Sequence, residues 1–139
     1  MSLLIGVTDD IDTCRELRRT VFVVEQEIDE ADEWDDLDGE AIHVLARQDG
    51  VPVGTARLLI EGETGKIGRV CVLAPYRGTG LGKRLVEHAV EIFATRGLSR
   101  AKLGAQLHAL DFYRNLGFTA EGPIYDDAGI PHRDMVRDL

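Results

Sequence analysis

The stretch that decides the fold is Val70-Cys71-Val72-Leu73-Ala74-Pro75-Tyr76-Arg77-Gly78-Thr79-Gly80-Leu81-Gly82-Lys83. An apolar strand enters a glycine-rich turn, and the turn opens a helix with Leu81, Leu85, Ala89 and Phe93 on one face. Glycine lets the backbone take positive φ and approach a ligand closely. Successive N–H groups can then ring an anion, and the helix N-terminus adds partial positive charge. The pattern suits a phosphate cradle. It is not a Walker A loop, because positions 77 and 84, where that loop needs Gly and Ser or Thr, are both Arg. It is not a dinucleotide fingerprint, because G-x-G-x-x-G/A fails whether it starts at Gly78 or Gly80.

Upstream of the turn, three strands alternate with turn signals. Ile42 to Arg47, Val53 to Ile60 and Lys66 to Leu73 are joined by Asp49-Gly50 and by Glu61–Gly65, which predicts an antiparallel meander. Leu3 to Val7 reads as a first strand. Thr8 or Asp9 can cap a helix reaching about Val24, with Cys14, Leu17, Val21 and Val24 at helical spacing. Downstream, the turn's helix ends before Gly97. Ala101 to Ala105 is a strand, and Ala109 to Leu116 is a short helix closed by Gly117. Phe118 to Glu121 and His132 to Val136 are two last strands around the Asp127–Gly129 turn. The order β-α-β-β-β-α-β-α-β-β predicts an α/β (α+β) fold with a mixed, mostly antiparallel sheet of six to seven strands flanked by helices.

The 139 residues suit one domain, 1–139, able to bury roughly two-thirds of its unfolded surface. No apolar run approaches a membrane span and no secretory signal stands at the N-terminus, so no membrane role is expected. Cys14 and Cys71 form no CxxC pair, which suits a reducing cytoplasm and argues against a metal site. The net charge of −9 disfavours nucleic acid as a partner. Residues 25–40 hold ten acids and no base. They are expected to form a loop with one helical turn near Trp34. That loop is either a solvated surface or a negative field drawing a cationic acceptor. A calcium loop fails there, with Trp34 and Leu45 at positions one and twelve.

The phrase R-x-x-G-x-G, spelled by Arg77, Gly80 and Gly82, together with the element order, resembles the GNAT superfamily of acyl-CoA-dependent N-acyltransferases. Gln106-x-His108-Ala109-x-x-Phe112-Tyr113-x-x-x-Gly117-Phe118 is similar to that superfamily's second motif, with Gln106 where Asn is common. Three further stretches resemble its ElaA/YjcF-like branch: Arg18-x-x-Val21-Phe22-Val23-x-Glu25-Gln26, Gln106-x-His108-Ala109 and Gly129-Ile130-Pro131-His132.

The resemblance implies acetyl-CoA, or another acyl-CoA, as co-substrate. Backbone groups of Val70, Cys71 and Val72 would pair with the pantetheine arm, where the strand splays from its neighbour. Arg77, Gly78, Thr79, Gly80, Leu81, Gly82 and Lys83 would hold the pyrophosphate, and Gln106 would contact pantetheine. Transfer would go by direct attack of a small-molecule amine, with a backbone N–H polarising the thioester carbonyl. Tyr113 would protonate the leaving thiolate and Glu25 is the first candidate for base; His43, His108 and His132 are others. A buried strand cysteine such as Cys71 is inert packing rather than a nucleophile. A homodimer is compatible with the resemblance. Two alternatives stay open: a non-catalytic acyl-CoA-binding module, and an acyltransferase with a non-amine acceptor or a longer acyl chain.

Overall fold

The computed structural model describes residues 2–139. Strand β1 (Leu3–Thr8) leads into α1 (Ile11–Arg18), whose Asp10 cap accepts from the Thr13 amide at 3.2 Å and its hydroxyl at 2.6 Å. The expected single helix to Val24 instead widens after Arg18 into a π-helical segment, Arg19–Glu25. There Gln26 N–H reaches back five residues to Val21 O at 3.0 Å. Within the acidic stretch lies the four-residue α2 (Glu30–Glu33).

The meander follows as β2 (Ile42–Gln48), β3 (Val51–Glu61) and β4 (Thr64–Val72). After the glycine turn come α3 (Leu81–Thr95), β5 (Arg100–Gln106), α4 (Leu110–Arg114), β6 (Thr119–Asp127) and β7 (Ile130–Asp138). The last hairpin is longer than its apolar core suggested. Its polar ends still pair, from Thr119 with Val136 to Asp127 with Ile130. Ala128 and Gly129 close it at positive φ.

Among the described residues one seven-stranded sheet forms, ordered β1-β2-β3-β4-β5-β7-β6, with β4 and β5 its only parallel pair. Strand alternation sends Val44, Ala46, Ala56 and Leu58 to α3, which buries Leu81, Leu85, Val86, Ala89, Val90 and Phe93 there. Gly65 is required opposite Phe93, since a Cβ would lie 2.5 Å from the ring. The other face takes α1 and the π-helical segment, with Cys14, Leu17 and Val21 on Leu45 and Cys71.

The acidic stretch is not wholly a solvated loop: most of its acids are exposed, but two leave the surface. Glu33 and Asp38 are buried beside α1, on two buried arginines. Arg18 donates to Glu33 at 2.7 Å and to Asp38 at 2.8 Å. Arg57 donates to Asp38 at 3.1 Å and grips both Asp35 oxygens at 2.7 and 3.0 Å. Arg15 adds a bond to Asp38 at 2.9 Å. Burial by itself would raise the Asp38 pKa; the bonds from Arg18 and Arg15 outweigh it and hold the carboxyl well below its ordinary range. The acids supply charges that Arg18 and Arg57 need in a water-poor layer.

Candidate active site

The ladder between β4 and β5 covers only Thr64–Ile67 with Arg100–Leu103, although both strands continue. Two facts part them. Strand β5 is held along its length by β7, from Arg100 with Asp138 to Gln106 with His132. Strand β4 bulges: Thr55 pairs with Cys71 and Arg57 with Gly68, so Ala56 faces both Arg69 and Val70. Arg69 sits at φ 51°, a costly conformation for a side-chain-bearing residue. Its guanidinium is pinned by Glu33, 3.1 Å from Nε, and by Asp35 at 3.5 Å. The acidic stretch therefore holds the bulge, and the bulge opens a cleft of about 350 Å³.

Backbone groups in that opening follow from alternation. Leu73 N–H donates to Val53 O at 2.9 Å, so residues 71 and 73 turn their polar groups to β3. Val70 and Val72 turn theirs to the open side, where Val72 O accepts from Arg77 Nε at 2.9 Å. Of the three residues expected to meet pantetheine, Val70 and Val72 face the opening by alternation, whereas Cys71 is paired with Thr55 of β3. Burial pushes the Cys71 thiol up to about 12, with the Glu33 charge adding to it. It is an inert packing group.

At the end of β4 the chain makes a 3₁₀ turn, Ala74–Tyr76, and enters α3 through Gly78 (φ 77°) and Gly80 (φ 84°). Thr79 Oγ1 donates to Tyr76 O at 2.7 Å, bracing the turn. No side chain caps α3, so the amides of Leu81, Gly82 and Lys83 lack intrahelical acceptors. Nothing lies within 4 Å of where a Cβ on Gly78 or Gly80 would stand. The turn is an open cradle of free amides with Arg77 and Lys83 beside it, and its donors suit a pyrophosphate.

Glu25, expected as base, ends the π-helical segment with both oxygens held by Arg77, Nη2 to Oε1 at 2.9 Å and Nη1 to Oε2. The Arg77 hydrogen bonds keep its pKa below the usual carboxylate value. In this state Glu25 is the counter-ion of the turn. Gln106 lies at the cleft, but its amide is used within the chain: Nε2 donates to Gln26 at 3.1 Å and Oε1 meets His108 Nε2 at 2.7 Å. Tyr113 lines the cleft, edge-on to Phe112 and Phe118. Burial raises its phenol to about 12. His43 lies outside the cleft lining, buried with Nε2 2.9 Å from Asp38 O. His108 and His132 both line the cleft.

Sequence reasoning did not find the Arg18–Glu33–Asp38–Arg57–Arg69 layer. Its signal was Arg57 inside the apolar run Val53–Ile60, a charge that must find a buried partner. Among the described residues, no group of three or more His, Cys, Asp or Glu is arranged for a metal ion, and no helix is long and apolar enough to cross a membrane.

A bulge-splayed parallel pair beside a glycine turn at a helix N-terminus is the arrangement of an acyltransferase fold. Residues 11–118 match the family model described as Acetyltransferase (GNAT) family, and the chain belongs to that family as a GNAT-type acetyltransferase. It is 36% identical to protein ElaA of Escherichia coli over 129 residues, covering 89% of this chain and 84% of ElaA. It is 34% identical to the uncharacterized N-acetyltransferase YjcF of Bacillus subtilis over 123 residues, 88% of each. In three dimensions it resembles an acyl-CoA N-acyltransferase from Pseudomonas aeruginosa: TM-score 0.88, 34% identity, 98% of this chain and 99% of that one.

Proposed function

We propose that the chain transfers acetyl from acetyl-CoA to a primary amine on a small cationic molecule by direct attack. The observation that carries this reading is the cleft itself. It is lined by Val70 of the splayed strand and by Tyr113, and β4 leads directly from it into the uncapped glycine turn at the head of α3. The likeness to the acyl-CoA N-acyltransferase from Pseudomonas aeruginosa supports an acyl-CoA as donor.

When bound, acetyl-CoA supplies an activated acyl thioester. The amides from Gly78 to Lys83 and the Arg77 guanidinium hold the pyrophosphate. Val70 and Val72 hold the pantetheine arm, and a backbone N–H there polarises the acyl carbonyl. Tyr113 keeps its proton at neutral pH and gives it to the departing sulfur as the positively charged acylated nitrogen, a far stronger acid, releases its own. The inert Cys71 supports a single transfer without an acyl-enzyme. An amine acceptor is supported by the cleft's charges. Asp32 and Asp127 line it without a salt bridge among the described residues, while its arginine, Arg69, is neutralised by Glu33 and Asp35.

The test is mass spectrometry of products formed from acetyl-CoA with spermidine, kanamycin and lysine methyl ester, against glycerol and cysteine. Acetylated amine is expected, with no ester or thioester. Acetyl-CoA binding without any acetylated amine would refute the amine reading.

A further inference from the structure

We infer that His132 is the base that takes the acceptor amine's proton, through Nε2; this rests on the amine transfer proposed above. The argument begins with the tautomer. His132 Nδ1 lies 2.7 Å from Ile130 O, two residues back across Pro131. A carbonyl only accepts, so Nδ1 carries the hydrogen, and in the neutral ring Nε2 carries the lone pair. Pro131 stiffens the link between the carbonyl and the ring.

The ring is also held in plane. It stacks on Tyr125 at 6.0 Å and 23°. Tyr125 is fixed in turn, its hydroxyl donating to Asp134 at 2.8 Å. That hydroxyl lies above Gly104, where a Cβ would come within 2.4 Å of it. Two tethers and a fitted neighbour thus present one basic nitrogen, and the residue lines the cleft that also holds Tyr113.

The other candidates are placed less well. Glu25 has both oxygens on Arg77, and His43 lies outside the cleft lining. His108 donates from Nε2 to Gln106 Oε1, which leaves Nδ1 basic, but its side chain is exposed and lacks the ring stacking that fixes His132. The polar groups around His132 are Tyr125 and Asp127 from β6, Gln106 and His108 from the β5 end, Arg133 and Asp134 from β7, and Asp32 across the cleft. Of these, Arg133 turns away to Gly122 O at 3.0 Å. Asp127 and Asp32 remain to draw an ammonium toward the ring.

The protons balance. Nε2 takes one proton from the ammonium, and the freed lone pair forms the amide N–C bond as the thioester C–S bond breaks. Tyr113 protonates the sulfur and recovers a proton from the second nitrogen hydrogen by way of solvent. The imidazolium returns its own to water, so one proton is released per turnover.

The test uses the full chain and His132→Asn, whose side-chain amide keeps a donor near the Nδ1 position and removes Nε2. Long-range ¹H–¹⁵N correlation of the ligand-free protein is expected to show His132 protonated at Nδ1. With the best amine of the panel, His132→Asn is expected to lose about 100-fold or more in kcat/KM. The acid-side limb of the pH profile should vanish, while calorimetric acetyl-CoA affinity stays within about twofold. A proton on Nε2 overturns the assignment, as does a variant that keeps its rate within about threefold and retains the limb. Failure of the parent to bind acetyl-CoA overturns the transfer reading beneath it and is distinguished by the calorimetry.

Discussion

Replacing Asp38 by Asn removes one charge from the buried layer and almost no volume. Asp38 accepts from Arg15, Arg18 and Arg57, and only 2% of its side chain is exposed. The variant leaves the Arg18 and Arg57 guanidiniums short of one carboxylate where water cannot compensate. Removing one partner of a buried pair costs about 3–5 kcal/mol. Unfolding entropy near 60 °C is about 2.1 cal/mol/K per residue, so about 0.29 kcal/mol/K for this chain. Tm should fall by about 10–17 °C. Asp36→Asn, two residues away, exposed and without a salt bridge among the described residues, is the control and should move Tm by less than about 2 °C. Differential scanning calorimetry at pH 7 reads both. Equal, small shifts would refute the reasoning and return the acidic stretch to a solvated surface.

Four further outcomes follow from the same contacts. The carboxyls of Asp38 and Asp35 titrate below their unfolded values, so their stabilisation is full above about pH 4. It is lost as pH falls through the lower folded values, and Asp38→Asn should flatten that acid limb in urea titrations at stepped pH. Tyr113→Phe should lower kcat by about 100-fold or more with acetyl-CoA affinity unchanged; an unchanged kcat would remove the phenol from the chemistry. Gly104→Ala should cost about 1–3 kcal/mol in the parent and under about 1 kcal/mol beside Tyr125→Phe, because the clash is with the Tyr125 hydroxyl. Glu25→Gln frees Arg77 from its counter-ion and should tighten CoA binding in calorimetry; weaker binding would mean that the pair braces the turn instead.

Much of this fold was legible because local patterns and tertiary environment agree. The Asp49-Gly50 hairpin, the α3 stripe and the glycine turn each carry their own stereochemical requirement. Elements whose form depends on distant partners were not legible. The helix to Val24 has continuous helical spacing, and nothing local announces its widening after Arg18. The acids of residues 25–40 read as surface because their partners, Arg57 and Arg69, lie on strands far along the chain. At the site, the motifs pointed to Tyr113 and the turn. Which groups of the 70–72 strand face the cleft depends on the register with β3 and its bulge. That Glu25 and Gln106 are engaged by Arg77, Gln26 and His108 depends on side-chain geometry no spacing records.

The most direct measurement is calorimetric titration of acetyl-CoA and CoA into the parent chain and Gly80→Glu. Gly80 holds φ 84° at the head of α3 with open space beside it, so a glutamate there would fill the cradle with negative charge. The expected result is micromolar binding of both ligands, about −8 kcal/mol, lost in a variant that still melts cooperatively. No binding to the parent, or equal binding to both proteins, would contradict the assignment of the glycine turn as the acyl-CoA site.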